Sequence, residues 1–441
     1  MALKKSKIIG DFRDMIRLRT ISCEDMSQAP LDQFEAFREL LRERFPALFG
    51  AAEVRYPGFN GILLKIKGRM EGSPSVLMAH YDVVPVDQYG WTCDPFGAEI
   101  RDGRICGRGT LDTKSTLCGI VEAVEANLVE GWQPVHDLYL SFGGEEETHG
   151  DTCREIVRTL SEDGVRPAFV LDEGGAVIPE GVPGLRKKAA MVGIAEKGTA
   201  NYRITAFGKG GHASTPPRHT AVGKLAESAV RIENHPFPAR ISEPVYVMFR
   251  EIAKLVPVYE RFAFANVKLF APAVKAAATV LGPTFNAMVR TTQALVTVDG
   301  GTAYNVLPDR ASFVVNLRIL PGETMESAEA YLRKIIKDPE ISVELIDGTD
   351  PTPVSEIDCP QWQMLREVCE ETWPDAVFAP YMLNGGTDSR FYHEISEHVY
   401  KFSPMEMTAE ERGMVHGPDE SIAIENLLKT VIFYKKLLAK L

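Results

Sequence analysis

The chain has 441 residues, 45% hydrophobic and 25% charged, with a formal net charge of −12, which describes a globular protein of two or three domains with a large core. The acidic balance and the lack of a basic run exclude nucleic acid as the main partner. The charged opening "MALKKSKIIGDFRDMIRL" lacks a signal-peptide core, and no apolar run reaches about 18 residues, so neither a leader nor a membrane partner is expected.

The first 45 residues read as helical, with apolar positions at helical spacing in "FEAFRELLRERF". "NGILLKIKGR" and "PSVLMAHYDVV" read as strands, and "GAEIRDGRICGRG" as a hairpin turning at Asp102-Gly103. "KSTLCGIVEAVEANLVEG" predicts a helix apolar on one face. Then "HDLYLSF", "TCREIVRTLSEDG" and "AFVLDE" repeat a strand–helix–strand rhythm, which predicts a mostly parallel sheet with helices on both faces. Near residue 194 the rhythm changes. Strand "GTANYRITAFG", helix "TAVGKLAESAVRIEN", strands "TTQALVTVDGG" and "RASFVVNLRIL", helix "TMESAEAYLRKIIKD" and strand "ISVELIDG" predict a small antiparallel sheet with helices on one side. An aromatic- and proline-rich insert, about 236–290, is predicted helical. After Pro351 the first pattern resumes. The fold class is therefore an α/β domain (1–193 and 355–441) interrupted by a smaller α+β domain at 194–354. The seven scattered cysteines form no C-x-x-C pair and read as small, reduced, buried residues of a cytoplasmic protein.

Polar residues gather at the predicted strand ends. His80 and Asp82, two apart, share a face. Asp112 precedes a helix, Glu145, Glu146 and Glu147 follow "SFGG", and Asp172-Glu173 end "FVLDE". Singly, each has a plain role: a core histidine, a helix cap, a solvated loop. Together they lie at the edge where open parallel sheets bind ligands, and carboxylates converging there repel unless a cation sits between them.

The motifs "HYDVVPV", "W-x-x-DPF", "GRGTLDTKS", "FGGEEETHG", "LDEGG", "GKGGHAS", "YNVLPD", "NLRILPG", "GGTDSR" and "VHGPDE" occur in this order. From about residue 55 onward the chain resembles the di-zinc amidohydrolases that include carboxypeptidase S, aminoacylase, glutamate carboxypeptidase and acetylornithine deacetylase, with the carboxypeptidase S branch the most similar. The resemblance implies a zinc-exopeptidase-like fold whose inserted domain serves as lid and dimerisation surface, and two divalent metals per subunit: zinc, with cobalt or manganese as alternatives. His80 would bind one metal and Asp112 would bridge both. Glu147 and His416 would complete one site, and Glu173, or Asp172 as runner-up, the other. Asp82 would orient the His80 ring. Glu146 would be the general base, taking a proton from the attacking water and delivering it to the leaving amine. Glu145 stands where the family has aspartate, Gly144 where histidine is common, and His149 where glycine is common.

By the same resemblance His212 would reach the partner subunit's active site and stabilise the tetrahedral oxyanion. Asn305 would bind a polar substrate group. Arg390 would pair with the substrate's free α-carboxylate, and Arg318 would do likewise or sit in a surface ion pair. Gly385 and Gly386 would let backbone approach the substrate. The expected reaction is hydrolysis of an amide next to a free C-terminal carboxylate in a small peptide, by a homodimer. The alternatives are deacylation of an N-acyl amino acid, with an acyl pocket lying partly in the insert, and, more remotely, a non-catalytic binding protein on the same fold.

Overall fold

A computed structural model describes residues 4–87, 89–181, 187–278 and 282–441; residues 1–3 of the opening helical stretch and 279–281 of the insert lie outside it. The chain packs as two units. The first comprises Met1–Ile194, Ser355–Pro380 and Thr387–Leu441, the second Ala195–Val354 and Tyr381–Gly386. The segment 381–386, read from sequence as part of the first domain, packs with the second, where Leu383 O accepts the Lys197 N–H at 3.1 Å.

The strands of the larger sheet lie in the order Ala52–Arg55, Ile62–Ile66, Leu138–Gly143, Ser75–His80, Phe169–Asp172, Val399–Lys401, Ala189–Glu196 and Val377–Leu383. The four from Leu138–Gly143 to Val399–Lys401 run parallel. The strand Leu138–Gly143 is buried at every position, as expected of a parallel strand covered on both faces. The hairpin forms as predicted, with strands Glu99–Arg101 and Arg104–Cys106 joined through positive φ at Asp102 (47°) and Gly103 (77°), the turn that matches strand twist. A third strand, Ser421–Ala423, pairs with its second arm.

The helix Lys114–Val129 is buried on nearly all sides rather than one. Its charged residues are each satisfied. Lys114 Nζ donates to Met15 O and Leu18 O, Lys7 pairs with Glu122 at 3.0 Å, and Glu125 accepts the N–H groups of Ala47 and Leu48 at the start of the helix Pro46–Ala51. The polar face predicted for solvent instead anchors neighbouring elements.

The cysteine reading needs correction. Cys93 and Cys106 are disulfide-bonded, while Cys118, Cys153 and Cys369 are the buried free thiols expected. No motif spacing announced the pair; the hairpin brings Cys106 beside the 92–95 loop. The premise of uniformly reduced thiols, on which the cytoplasmic expectation stood, does not hold for this pair.

The second unit is an antiparallel sheet in the order Thr292–Asp299, Arg310–Ile319, Gly198–Phe207, Ser342–Thr349. Alternate residues of Arg310–Ile319 are buried, and the helices Ala221–Asn234 and Met325–Ile336 cover that face around Tyr202, Phe313, Val315 and Leu332. The insert contains the helices Glu243–Ala253, Val258–Ala265, Ala271–Ala278 and Pro283–Met288. No helix among the described residues is long and apolar enough to cross a membrane.

Candidate metal centre

Three neighbouring parallel strands deliver the site. His80, Gly143 and Asp172 are their last residues, and His80 lies opposite Gly143 in the ladder. The two glycines before the glutamates have a steric cause. A Cβ on Gly143 would stand 2.3 Å from Asp388 Oδ2, and one on Gly144 2.6 Å from Asn60 Cβ, so the chain can turn there only without side chains.

Asp82 then holds the turn. Its Oδ1 accepts the Glu146 N–H at 3.2 Å and its Oδ2 the Glu147 N–H at 3.1 Å. It also faces His80, whose Nδ1 lies 3.1 Å from Asp82 O and 3.3 Å from Asp82 Oδ1, which leaves Nε2 pointing to the cluster. Glu145 diverges from its neighbours: its carboxylate accepts the Thr152 hydroxyl and ties the turn to the helix Asp151–Glu162.

Asp112 stands at the centre. Its Oδ1 is 2.9 Å from His80 Nε2 and its Oδ2 is 3.2 Å from His416 Nε2, which in turn is 3.0 Å from Glu147 Oε2. Two donor sets result, His80–Asp112–Glu173 and Asp112–Glu147–His416, each with its atoms within 4.8 Å of one another. Asp112 belongs to both. Glu146 belongs to neither set, with its Oε2 3.9 Å from His80 Nε2. Of the two acids at the strand end, Glu173 joins the cluster. Asp172 instead accepts the N–H groups of Glu173 and Ser389, each at 2.9 Å, so it shapes the loop rather than completing a donor set.

Burial raises the Glu146 carboxyl well above its usual range; His80 pulls against the shift, and Asp388, Glu147 and Glu173 add to it. Burial raises Glu147 as well. Hydrogen bonds to Asp112 and Glu147 push His416 up to about 10. Burial would raise Asp112, but hydrogen bonds from His416 and His80 outweigh it and hold this acid low. Glu147 Oε1 is buried with no hydrogen-bond partner among the described residues, an acceptor that a cation would satisfy. Imidazole and carboxylate donors in two sets sharing one bridging acid fit a pair of divalent ions.

These shifts carry a pH dependence. Glu146, Glu147 and His416 are all raised, so their contribution to stability is full at low pH and is lost as pH climbs from about 5 towards about 10. Metal ligation requires the deprotonated groups and releases protons. The rise in melting temperature produced by added zinc should therefore grow between about pH 5 and 8, measured by scanning fluorimetry with and without chelator. A zinc effect that shrinks over that range would refute this assignment of protons.

Sequence reading missed three residues here. Glu420, fully buried, pairs with Arg108 at 2.7 Å and accepts the N–H groups of Gly109, Leu111 and Asp112. Arg108 also donates to His416 O at 3.0 Å, steadying a residue held at φ 61°. This pair links the loop of Asp112 to the loop of His416. Asp388 lies buried against Gly143 and Gly150 and is pushed up to about 7 by burial, with Asp172 and Asp82 adding to the shift. Glu420 and Asp388 stand inside "VHGPDE" and "GGTDSR", and a buried acid in a glycine-flanked motif was the available signal.

The other predicted residues belong to neither donor set. Arg390 donates to Thr387 O at 2.7 Å and His149 O at 3.0 Å and stacks on Phe391, so two of its N–H groups are engaged with backbone. In the second unit, His212 pairs with Val306 in a short ladder, and the Ala213 N–H donates to Asn305 O, which brings His212 and Asn305 together. Arg318 has no carboxylate partner among the described residues, against the surface ion pair considered from sequence. It neighbours the buried Lys197, which burial lowers to about 7, with Arg318 adding to the shift. Gly385 and Gly386 are exposed, and a Cβ on Gly385 would meet nothing within 4 Å.

Residues 76–440 match the family model "Peptidase family M20/M25/M40". The N-fatty-acyl-amino acid synthase/hydrolase PM20D1.1 of Danio rerio is 32% identical over 99% of this chain and 86% of its own length. The probable carboxypeptidase S-like 2 of Dictyostelium discoideum is 32% identical over 95% of this chain and 82% of its own. An M20 family metallo-carboxypeptidase from Sulfolobus solfataricus shares the fold, with a TM-score of 0.70 at 17% identity over 98% of both chains.

Proposed function

Because the chain belongs to peptidase family M20/M25/M40, a family of metal-dependent hydrolases, we propose that it cleaves the amide bond of an N-acyl amino acid, the acyl group being long and the amino acid keeping a free α-carboxylate. The carrying observation is likeness along nearly the whole chain to a relative named for N-fatty-acyl-amino acids. His80, Asp112 and Glu173 would hold one divalent ion and Asp112, Glu147 and His416 the other, zinc being the first choice for both. When bound, such a pair acidifies water and polarises a carbonyl.

The chain's own groups do the rest. Glu146, outside both donor sets and backed by Asp82, takes the proton of the attacking water and returns it to the departing amine nitrogen. Its burial raises its proton affinity, which favours the first transfer. Arg390 or Arg318 pairs with the substrate carboxylate, and Asn305 with a polar group. His212 serves the oxyanion of a partner subunit. Dimerisation is supported by the outer strand Thr292–Asp299 of the second sheet, which has no neighbour on one side among the described residues and presents Val296 and Val298, 55% and 80% exposed.

A substrate panel tests the reading. Long-chain N-acyl amino acids should exceed dipeptides in kcat/KM, and amidating the carboxylate should cost about tenfold or more. A second reading, peptide hydrolysis from a free C-terminus, is favoured by the carboxypeptidase S-like relative. Dipeptides outperforming every acyl substrate would install it in place of the first.

A further inference from the structure

The insert of the second unit bears an apolar surface that its core does not use. Leu255, Val258, Phe262 and Leu269 are 39%, 77%, 62% and 71% exposed. Inward-facing neighbours take up the packing: Val256 and Val267 are buried, and Phe264 meets Phe249. Val258 and Phe262 stand one turn apart on the helix Val258–Ala265. Phe262 meets Phe270 edge-on at 5.9 Å, and Leu269 precedes Phe270, so the patch continues across the turn between helices.

Charge is patterned over the same stretch. Lys254, Arg261, Lys268 and Lys275 recur at every seventh residue, with Glu260 the lone acid between 254 and 275. Arg261 and Lys268 are exposed, while Lys254 pairs with Glu251 at 2.6 Å. In a chain of net charge −12, this segment is locally cationic. Exposed aliphatic and aromatic side chains interspersed with cations match the boundary between acyl chains and anionic headgroups. They match a second copy of the same face poorly, because the like charges would repel.

We propose that the 255–269 face docks reversibly on an anionic lipid surface. This departs from the expectation of no membrane partner. That expectation rested on the lack of a spanning segment, and an interfacial helix needs none. Docking would place the enzyme where an anionic long-chain acyl amino acid concentrates; that purpose, though not the docking, rests on the proposed function.

The test is co-sedimentation of the full chain with vesicles of phosphatidylcholine plus phosphatidylglycerol, and with phosphatidylcholine alone. Binding to the anionic vesicles only, weakened by salt, is expected. Arg261→Glu with Lys268→Glu should reduce partitioning at least tenfold, since each cation at such a surface contributes about fivefold. Val258→Ser, Phe262→Ser and Leu269→Ser together should abolish it, with turnover of an N-acetyl amino acid reporting that the variant is folded. Absent binding, binding insensitive to these changes, or equal binding to neutral vesicles would overturn the proposal. So would a triple variant that changes the oligomeric state and leaves vesicle binding intact. Vesicle binding without acyl amino acid hydrolysis would sink the functional reading and spare the docking; hydrolysis without binding would do the reverse.

Discussion

Glu146→Gln should lower kcat by about 10²–10⁴-fold, the range that a positioned acid–base group contributes, while the protein still binds about two divalent ions per chain. The expectation follows from the division of the three glutamates. Glu147 lies in a donor set and Glu145 is bonded to Thr152, but Glu146 is in neither donor set and reaches within 3.9 Å of His80 Nε2. Glutamine keeps the backbone N–H that Asp82 accepts and removes only the proton acceptor. Metal analysis beside steady-state kinetics separates the outcomes. An undiminished kcat would move the base elsewhere, and loss of metal would make Glu146 a ligand.

Glu420→Ala should destabilise the protein by about 3–5 kcal/mol, the usual consequence of stranding one member of a buried ion pair. Arg108, now 3% exposed, would face a cavity without its partner, and the N–H groups of Gly109, Leu111 and Asp112 would lose their acceptor. Because these donors position Asp112 and Arg108 holds His416 O, metal affinity should fall with stability. Glu420→Gln keeps the size and one acceptor and should cost less on both measures. Denaturant unfolding and metal titration of the two variants decide the matter. An alanine variant with full metal affinity and under about 1 kcal/mol lost would show the pair to be dispensable.

The donors to the centre were legible because four segments bring acids or a histidine to one predicted sheet edge, and these, with the segment of His416, occur in a recognisable order. His80, Asp112, Glu147, Glu173 and His416 converge in two sets. Less legible was the choice between Asp172 and Glu173. Adjacent residues on a strand point to opposite sides, but at a strand end the chain turns, and hydrogen bonds to Glu173 and Ser389 N–H decide which acid is diverted. Arg390 was read through its motif; of the two carbonyls it engages, Thr387 O is local and His149 O lies 241 residues away in sequence.

Sequence by itself determined the alternation of strands and helices, the change of rhythm at the second domain, and the identity of the acids and histidines available for a cation. These are local properties, carried by periodicity and residue chemistry. Tertiary structure alone decided that Lys114–Val129 is buried on nearly all sides, that Cys93 meets Cys106, that 381–386 packs with the second unit, and that Glu420 braces Asp112. Each of these depends on which distant segment supplies the partner for a buried polar or sulfur atom, and that is set by packing rather than by any short stretch of chain.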